Sequence, residues 1–329
     1  MIDILPLDLA DDEVLAGAFE VETAATKAVR PGWAPLPVET RIGRWRDDSI
    51  FSTRLIGAHE DGALLGLGAV SSYPPEPERI WFSVHVHPDH WRRGIGTRLV
   101  QAMERELPVE CRSIVSGQDL ADQAAADALA SGFCEPLGYR CGTRSLFFET
   151  NLADRTWGEH PAPEGWRVET HVDGVPEELR EELGILMGKV DAEAPSGEIE
   201  WQERAVTPQE YQSELDAALR EGTHVVEAIA LNAEGRIGAW TSLHTAPAPY
   251  RPAMVGATLV LEEYRGQRLG LAIKAAIAQT AAELGVTRLQ TESDEANRWM
   301  HAVNRQLGVA GHDVVDTAGD AKGAGLSTG

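Results

Sequence analysis

The run Val86-His87-Pro88-Asp89-His90-Trp91-Arg92-Arg93-Gly94-Ile95-Gly96-Thr97-Arg98-Leu99 decides the fold, because it joins a segment of period two to a segment of helical period. Before it, Ile80, Phe82, Val84 and Val86 alternate with Trp81, Ser83, His85 and His87, which predicts a strand with one buried face. Pro88 ends that strand because it cannot donate to a ladder. After it, Ile95, Leu99, Val100, Met103 and Leu107 predict a helix with one apolar stripe.

The same order of strand, glycine turn and helix recurs. Val255 to Leu261 reads as a strand, Glu262-Glu263-Tyr264-Arg265-Gly266-Gln267-Arg268-Leu269-Gly270 as the turn, and Leu269, Ile273, Ala276, Ile277 and Leu284 as the stripe of a helix. In each half a second strand follows, at Ser113 to Ser116 and at Thr287 to Thr291, then a helix and a Leu-Gly pair, Leu137-Gly138 and Leu307-Gly308. A duplicated domain accounts for this periodicity. The length of 329 residues also exceeds what one core usually organises. The expected division is a domain over 1–150, a Pro- and Gly-bearing linker over 151–165, a domain over 166–310, and a disordered tail of small and polar residues over 311–329.

Composition narrows the function classes. Hydrophobic residues make up 43% and charged residues 25%, with no apolar run long enough for a membrane span. The formal charge of −23 opposes binding to a phosphate backbone, so nucleic acid is not expected as a partner, whereas an acidic surface favours cationic small molecules. The acidic N-terminus has no basic segment of the secretory kind, and a cytoplasmic location is expected. Cys111, Cys134 and Cys141 are too few and too irregularly spaced for a disulfide framework or a zinc site, so no metal is expected.

A turn that opens a helix directly after a strand presents unpaired backbone N–H groups at the positive end of the helix dipole, where a pyrophosphate can bind. Arg92 and Arg93, or Arg265 and Arg268, add charge there. A plain connection, in which glycine only supplies the turn, is the other reading of either turn alone; their repetition favours a ligand. A dinucleotide fingerprint is excluded in the first half because Gly94 and Gly96 have no third glycine at the required spacing. A P-loop is excluded because no Gly-Lys-Ser/Thr follows either turn.

With these residues the chain resembles the GNAT superfamily of acetyltransferases, whose strand, Arg/Gln-x-x-Gly-x-Gly/Ala turn and helix hold the pyrophosphate of acetyl-CoA. The first half carries Trp91 in place of the leading Arg/Gln; the second keeps Arg265 but has Arg268 where the first glycine is expected. Thr258-Leu259-Val260-Leu261 and the run Asn297-Arg298-Trp299-Met300-His301-Ala302-Val303-Asn304-Arg305-Gln306-Leu307-Gly308 are similar to tandem GNAT proteins of actinobacteria, among which mycothiol synthase has a similar architecture. The fold class implied is α/β (α+β), with two tandem GNAT domains, each a mixed, mostly antiparallel sheet flanked by helices. The family closes each domain with further strands. The first half supplies one at Tyr139 to Glu149; the second has only the glycine-rich tail, so it is either incomplete or closed by the first.

The activity implied is N-acetyl transfer from acetyl-CoA, the co-substrate, to the amine of a small molecule by direct attack, in a monomer or homodimer. The alternative is a degenerate tandem protein that binds acetyl-CoA as a sensor or structural module without turnover. The cofactor-binding residues implied are Val86, His87, Arg92, Arg93, Gly94, Ile95, Gly96 and Thr97 in the first half. In the second they are Val260, Arg265, Gly266, Gln267, Arg268, Leu269, Gly270 and Leu271, with Asn297 and Asn304 on the later helix. A backbone N–H near Val86 or Val260 is expected to polarise the thioester carbonyl. The family's tyrosine acid is replaced by Cys134 and Asn304, and His85 and Glu262 are the candidate bases. Each also has a plain structural role open to it: strand residue, turn residue, packed thiol, or backbone cap. Substrate choice is expected in Lys27 to Trp45 and in Met187 to Trp201.

Overall fold

The computed structural model describes residues 1–30, 33–120, 122–152, 160–194, 203–245 and 252–319. Within them the elements are β1 (Asp3–Pro6), α1 (Asp12–Val29), α2 (Val38–Arg46), β2 (Ser52–Glu60), β3 (Ala63–Ser72), β4 (Arg79–Val86), α3 (Ile95–Arg105), β5 (Ser113–Leu120), α4 (Gln123–Leu129) and β6 (Thr143–Asn151). They continue with β7 (Trp166–Val172), α5 (Glu177–Met187), α6 (Val190–Glu193), α7 (Pro208–Arg220), β8 (Val225–Asn232), β9 (Ile237–His244), β10 (Ala253–Val260), α8 (Leu269–Glu283), β11 (Arg288–Asp294), α9 (Arg298–Gln306) and β12 (Ala310–Gly319).

The chain divides into two compact units. Unit 1 holds Met1–Arg144 with Val314–Gly329, and unit 2 holds Ser145–Asp313. In unit 1 the strands run in the order β1-β2-β3-β4-β5-β12; in unit 2 they run β7-β8-β9-β10-β11-β6. Each sheet is antiparallel throughout except for one parallel pair, β4 with β5 and β10 with β11. The topologies match, but the last strand of each sheet comes from the other half of the sequence.

That exchange corrects two expectations. The strand after Tyr139 does not close the first sheet: β6 pairs Ser145 to Asn151 with Asp294 to Arg288 of β11, and the boundary lies at Arg144/Ser145 rather than after residue 150. The tail expected to be disordered forms β12, which pairs Val314–Gly319 with Leu120–Val115 of β5. Its only local signal is the β-branched pair Val314-Val315, whereas backbone pairing to an open strand edge needs no side-chain pattern. Residues 320–329 of that tail and 153–159 of the expected linker lie outside the described residues.

In unit 1, α3 lays Ile95, Leu99, Val100 and Met103 on one face of the sheet, against Ile56, Val70, Ile80 and Ile114. On the other face α1 buries Leu15, Ala18 and Val21 with Trp45 of α2. Each large aliphatic side chain so buried contributes about 1.5–3 kcal/mol. Asp11 caps α1 by accepting from the N–H groups of Glu13 and Val14. Unit 2 repeats the layers, with α8 on one face and α5 and α7 on the other. Leu284, predicted in the stripe of α8, is exposed because the helix ends at Glu283.

Truncation after Val309 removes β12 and exposes the edge of β5. We expect limited proteolysis of that variant to cut unit 1 faster while the fragment spanning β6 to α9 persists; equal loss of both halves would contradict the exchange.

Candidate acyl-CoA site

Both parallel pairs part soon after they form. β4 pairs with β5 only at Arg79–Trp81 against Ser113–Val115, and β10 with β11 only at Ala253–Val255 against Leu289–Thr291. Beyond those residues, the facing backbone edges have no strand partner across the gap, and polar backbone groups in such a wedge require a guest or water. In unit 1 the wedge opens into a cavity of about 280 Å³. Ser83 and His85 line it from β4, Ser116 and Gln118 from β5, Val100 from α3, and Phe133 and Cys134 from a π-helical turn, Ala130–Cys134, that continues α4.

The two turns share one backbone geometry built from different residues. Each places two residues in the left-handed region: Arg92 (φ 63°) and Gly94 (φ 76°) in the first, Gly266 (φ 79°) and Arg268 (φ 65°) in the second. Arg268 therefore stands in the conformation the expected glycine would adopt, at a cost of about 1 kcal/mol. The leading position is also equivalent: Trp91 Nε1 donates to the Val86 carbonyl at 2.6 Å, and Arg265 Nε donates to the Val260 carbonyl at 3.2 Å. The indole thus retains the donor that the family's Arg or Gln supplies, and this equivalence is invisible in the motif.

One arginine of each turn is committed within the protein. Arg93 donates to Glu60 at 2.6 Å, and that bond holds the Glu60 carboxyl below its ordinary range; Arg265 pairs with Glu193. Arg92 and Arg268 have no side-chain hydrogen bond or ion pair among the described residues. Ile95, Leu269 and Leu271 bury their side chains, so only their backbones reach the turn, while Thr97 is half-buried. The first helical bonds are Arg98 N–H to Gly94 O and Ala272 N–H to Arg268 O, leaving the preceding N–H groups of each helix unpaired in it. Gln267 accepts from Trp166 Nε1 at 3.1 Å.

Of the predicted catalytic residues, His85 and Cys134 meet at the unit 1 cavity. His85 is 14% exposed, and burial lowers its pKa below the ordinary imidazole value, more than the nearby Glu22 raises it. Its Nε2 lies 3.8 Å from Glu22 Oε1. Arg41, in the stretch expected to choose substrate, grips Glu22 with Nε at 2.8 Å and with Nη2. Glu22 and Arg41 were not predicted; the available signal was a carboxylate within the buried stripe of α1, beside Val21 and Ala25. His87 caps the turn after β4, its Nδ1 accepting from the Asp89 N–H at 3.4 Å.

Unit 2 does not assemble its candidates in the same way. Glu262 is exposed in a 3-10 turn, Glu262–Tyr264, and its side chain makes no hydrogen bond or ion pair among the described residues. Asn297 caps α9 by accepting from the Met300 N–H at 3.1 Å. Asn304 is fully buried, and its Oδ1 accepts from Lys274 Nζ at 2.8 Å. Lys274 has no carboxylate partner among the described residues, and burial lowers its pKa to about 7. Residues 195–202, part of the second stretch expected to choose substrate, lie outside the described residues.

A parted parallel pair, a left-handed turn and a helix opening on the gap define the acyltransferase class of α/β fold, and this chain carries it twice. The family model for the acetyltransferase (GNAT) family matches residues 19–133 and 191–309, and the chain belongs to that family. Among solved structures, a tandem GNAT protein from the clavulanic acid biosynthesis pathway superposes with a TM-score of 0.78 at 21% identity, covering 99% of this chain and 100% of that one. A GCN5-related N-acetyltransferase from Sphaerobacter thermophilus gives a TM-score of 0.69 at 18% identity over 99% and 97% of the two chains. At these identities the likeness is one of fold. No curated protein matches the chain in sequence. Among the described residues no helix is long and apolar enough to cross a membrane.

The buried amine has a measurable consequence. Between about pH 7 and 10.5 the unfolded chain holds a proton on Lys274 that the folded chain does not, so this residue makes stability rise with pH across that window. Urea midpoints measured from pH 7 to 9.5 should rise less steeply in Lys274→Met than in the wild type; parallel curves would contradict the buried neutral amine.

Proposed function

We propose that the protein transfers the acetyl group of acetyl-CoA to the amine of a small molecule, and that unit 1 carries the reaction. The observation that carries this reading is one cavity bounded by the parted edge of β4, the imidazole of His85 and the thiol of Cys134. The cavity fits the co-substrate in kind: a narrow wedge with open backbone edges suits a linear amide-bearing arm, as strand edges suit extended peptides. The N-terminus of α3 and the uncommitted Arg92 suit its diphosphate. Acetyl-CoA supplies an acyl group activated as a thioester.

The residues of unit 1 then have distinct parts. The Glu22 carboxylate beside Nε2 favours the tautomer protonated there, leaving the other ring nitrogen of His85 basic. That nitrogen takes the proton an incoming ammonium must lose before it can attack. As the C–N bond forms and the C–S bond breaks, a proton must reach the departing thiolate. Cys134, on the same cavity wall, can give it and be restored by the proton that the acylated nitrogen sheds. The formal charge of −23 supports a cationic small molecule over nucleic acid as the partner.

Two measurements test this. Arg92→Glu should weaken acetyl-CoA binding by about tenfold, with the deficit shrinking at high salt; unchanged affinity would remove the turn from the site. In thiol-release assays with a panel of amines, His85→Gln should lower kcat by about a hundredfold with little change in the KM for acetyl-CoA. The wild-type rate should decline only below pH 6.5, because the imidazole titrates under its ordinary value, and His85→Gln should lack that limb. A limb that persists in the variant would assign the base elsewhere.

A further inference from the structure

Because the two units share one topology, the residues around their wedges can be paired. Val86 and Val260 end β4 and β10 and each carbonyl receives the donor of the turn, so Val100 of α3 corresponds to Lys274 of α8. The paired strands align Val115 with Thr291, and hence Gly117 with Ser293. Counting back from the Leu-Gly pairs aligns Ala130 with Met300 and Cys134 with Asn304. Val100, Gly117, Ala130 and Cys134 all line the unit 1 cavity.

Every one of those lining positions carries a larger side chain in unit 2. Three of the replacements meet: Lys274 Nζ lies 2.8 Å from Asn304 Oδ1 and 3.6 Å from Met300 Sδ, and it also lies 3.3 Å from Oγ1 of Thr291, the counterpart of Val115, which does not line the unit 1 cavity. Burial differs at two of the four positions: Cys134 is half-buried and Gly117 exposed, whereas Asn304 and Ser293 are 0% and 7% exposed; Val100 and Lys274 are both buried, and Ala130 and Met300 both half-buried. The Lys274 stem reaches from α8 to Asn304 and Met300 of α9 and to Thr291 of β11.

We infer that the wedge of unit 2 is filled by its own Lys274, Asn304 and Met300, so that unit 1 alone takes the acyl-CoA. The inference rests on the acyl-CoA reading of unit 1. It assigns the left-handed turn of unit 2, with Gly266, Arg268 and Gly270, to fold rather than to ligand. Lys274 is the closing element, since no other side chain of the group spans from α8 to both α9 and β11.

Calorimetric titration of acetyl-CoA into the full chain tests it in three proteins. The wild type should bind one equivalent, and Gly270→Glu, which places a carboxylate at the unit 2 turn, should leave that site intact. Lys274→Val, which installs the unit 1 residue, should add a second, weaker site. Two sites in the wild type, one of them lost in Gly270→Glu, would overturn the inference. So would a folded Lys274→Val that still binds one equivalent. If that variant does not fold, the wild type and Gly270→Glu decide alone. No binding in any protein would overturn the acyl-CoA reading, and this inference with it.

Discussion

The separation of β4 from β5 after three paired residues is the constraint on which the site depends. A parallel pair that continued would satisfy its own backbone and leave no room; a pair that parts leaves polar edges that must find another partner. The cavity and the placement of His85 and Ser83 beside it follow from that divergence. The turn after β4 holds the arrangement in place, with Trp91 tied to the Val86 carbonyl and two left-handed residues reversing the chain into the helix.

The second constraint is the exchange of closing strands. β12 lies beside β5, the far wall of the unit 1 wedge, and it is reached only after the chain has completed the helices and strands of unit 2. β6 serves β11 in the same manner. Without unit 2 the chain cannot deliver the strand that lies beside β5. A buried lysine is costly to keep in an apolar interior, and here its hydrogen bonds to Asn304 and Thr291 reduce that cost.

Much of this was legible in the sequence, because it is local. The alternation before Pro88, the helical stripe after Gly94 and their recurrence near Val260 and Leu269 place the strand, turn and helix of both units. What was not legible depends on distance or on backbone alone. The exchange of β6 and β12 is carried by main-chain hydrogen bonds, which leave no trace in residue type. Glu22 and Arg41 form a pair nineteen residues apart, on two helices. Lys274 reads as a polar interruption beside an apolar stripe, and only the packing of α8 against α9 and β11 shows that its amine is enclosed. The replacement of a glycine by Arg268 reads as a departure from the motif, yet the backbone keeps the same left-handed conformation.

Hydrogen exchange on the intact chain, with and without saturating acetyl-CoA, distinguishes a site in unit 1 from one in unit 2. Amides in Phe82–Val86 and Trp91–Thr97 should slow on binding, while those in Val255–Val260 and Arg265–Leu271 keep their rates. Slowing confined to the second pair of segments would contradict a site in unit 1.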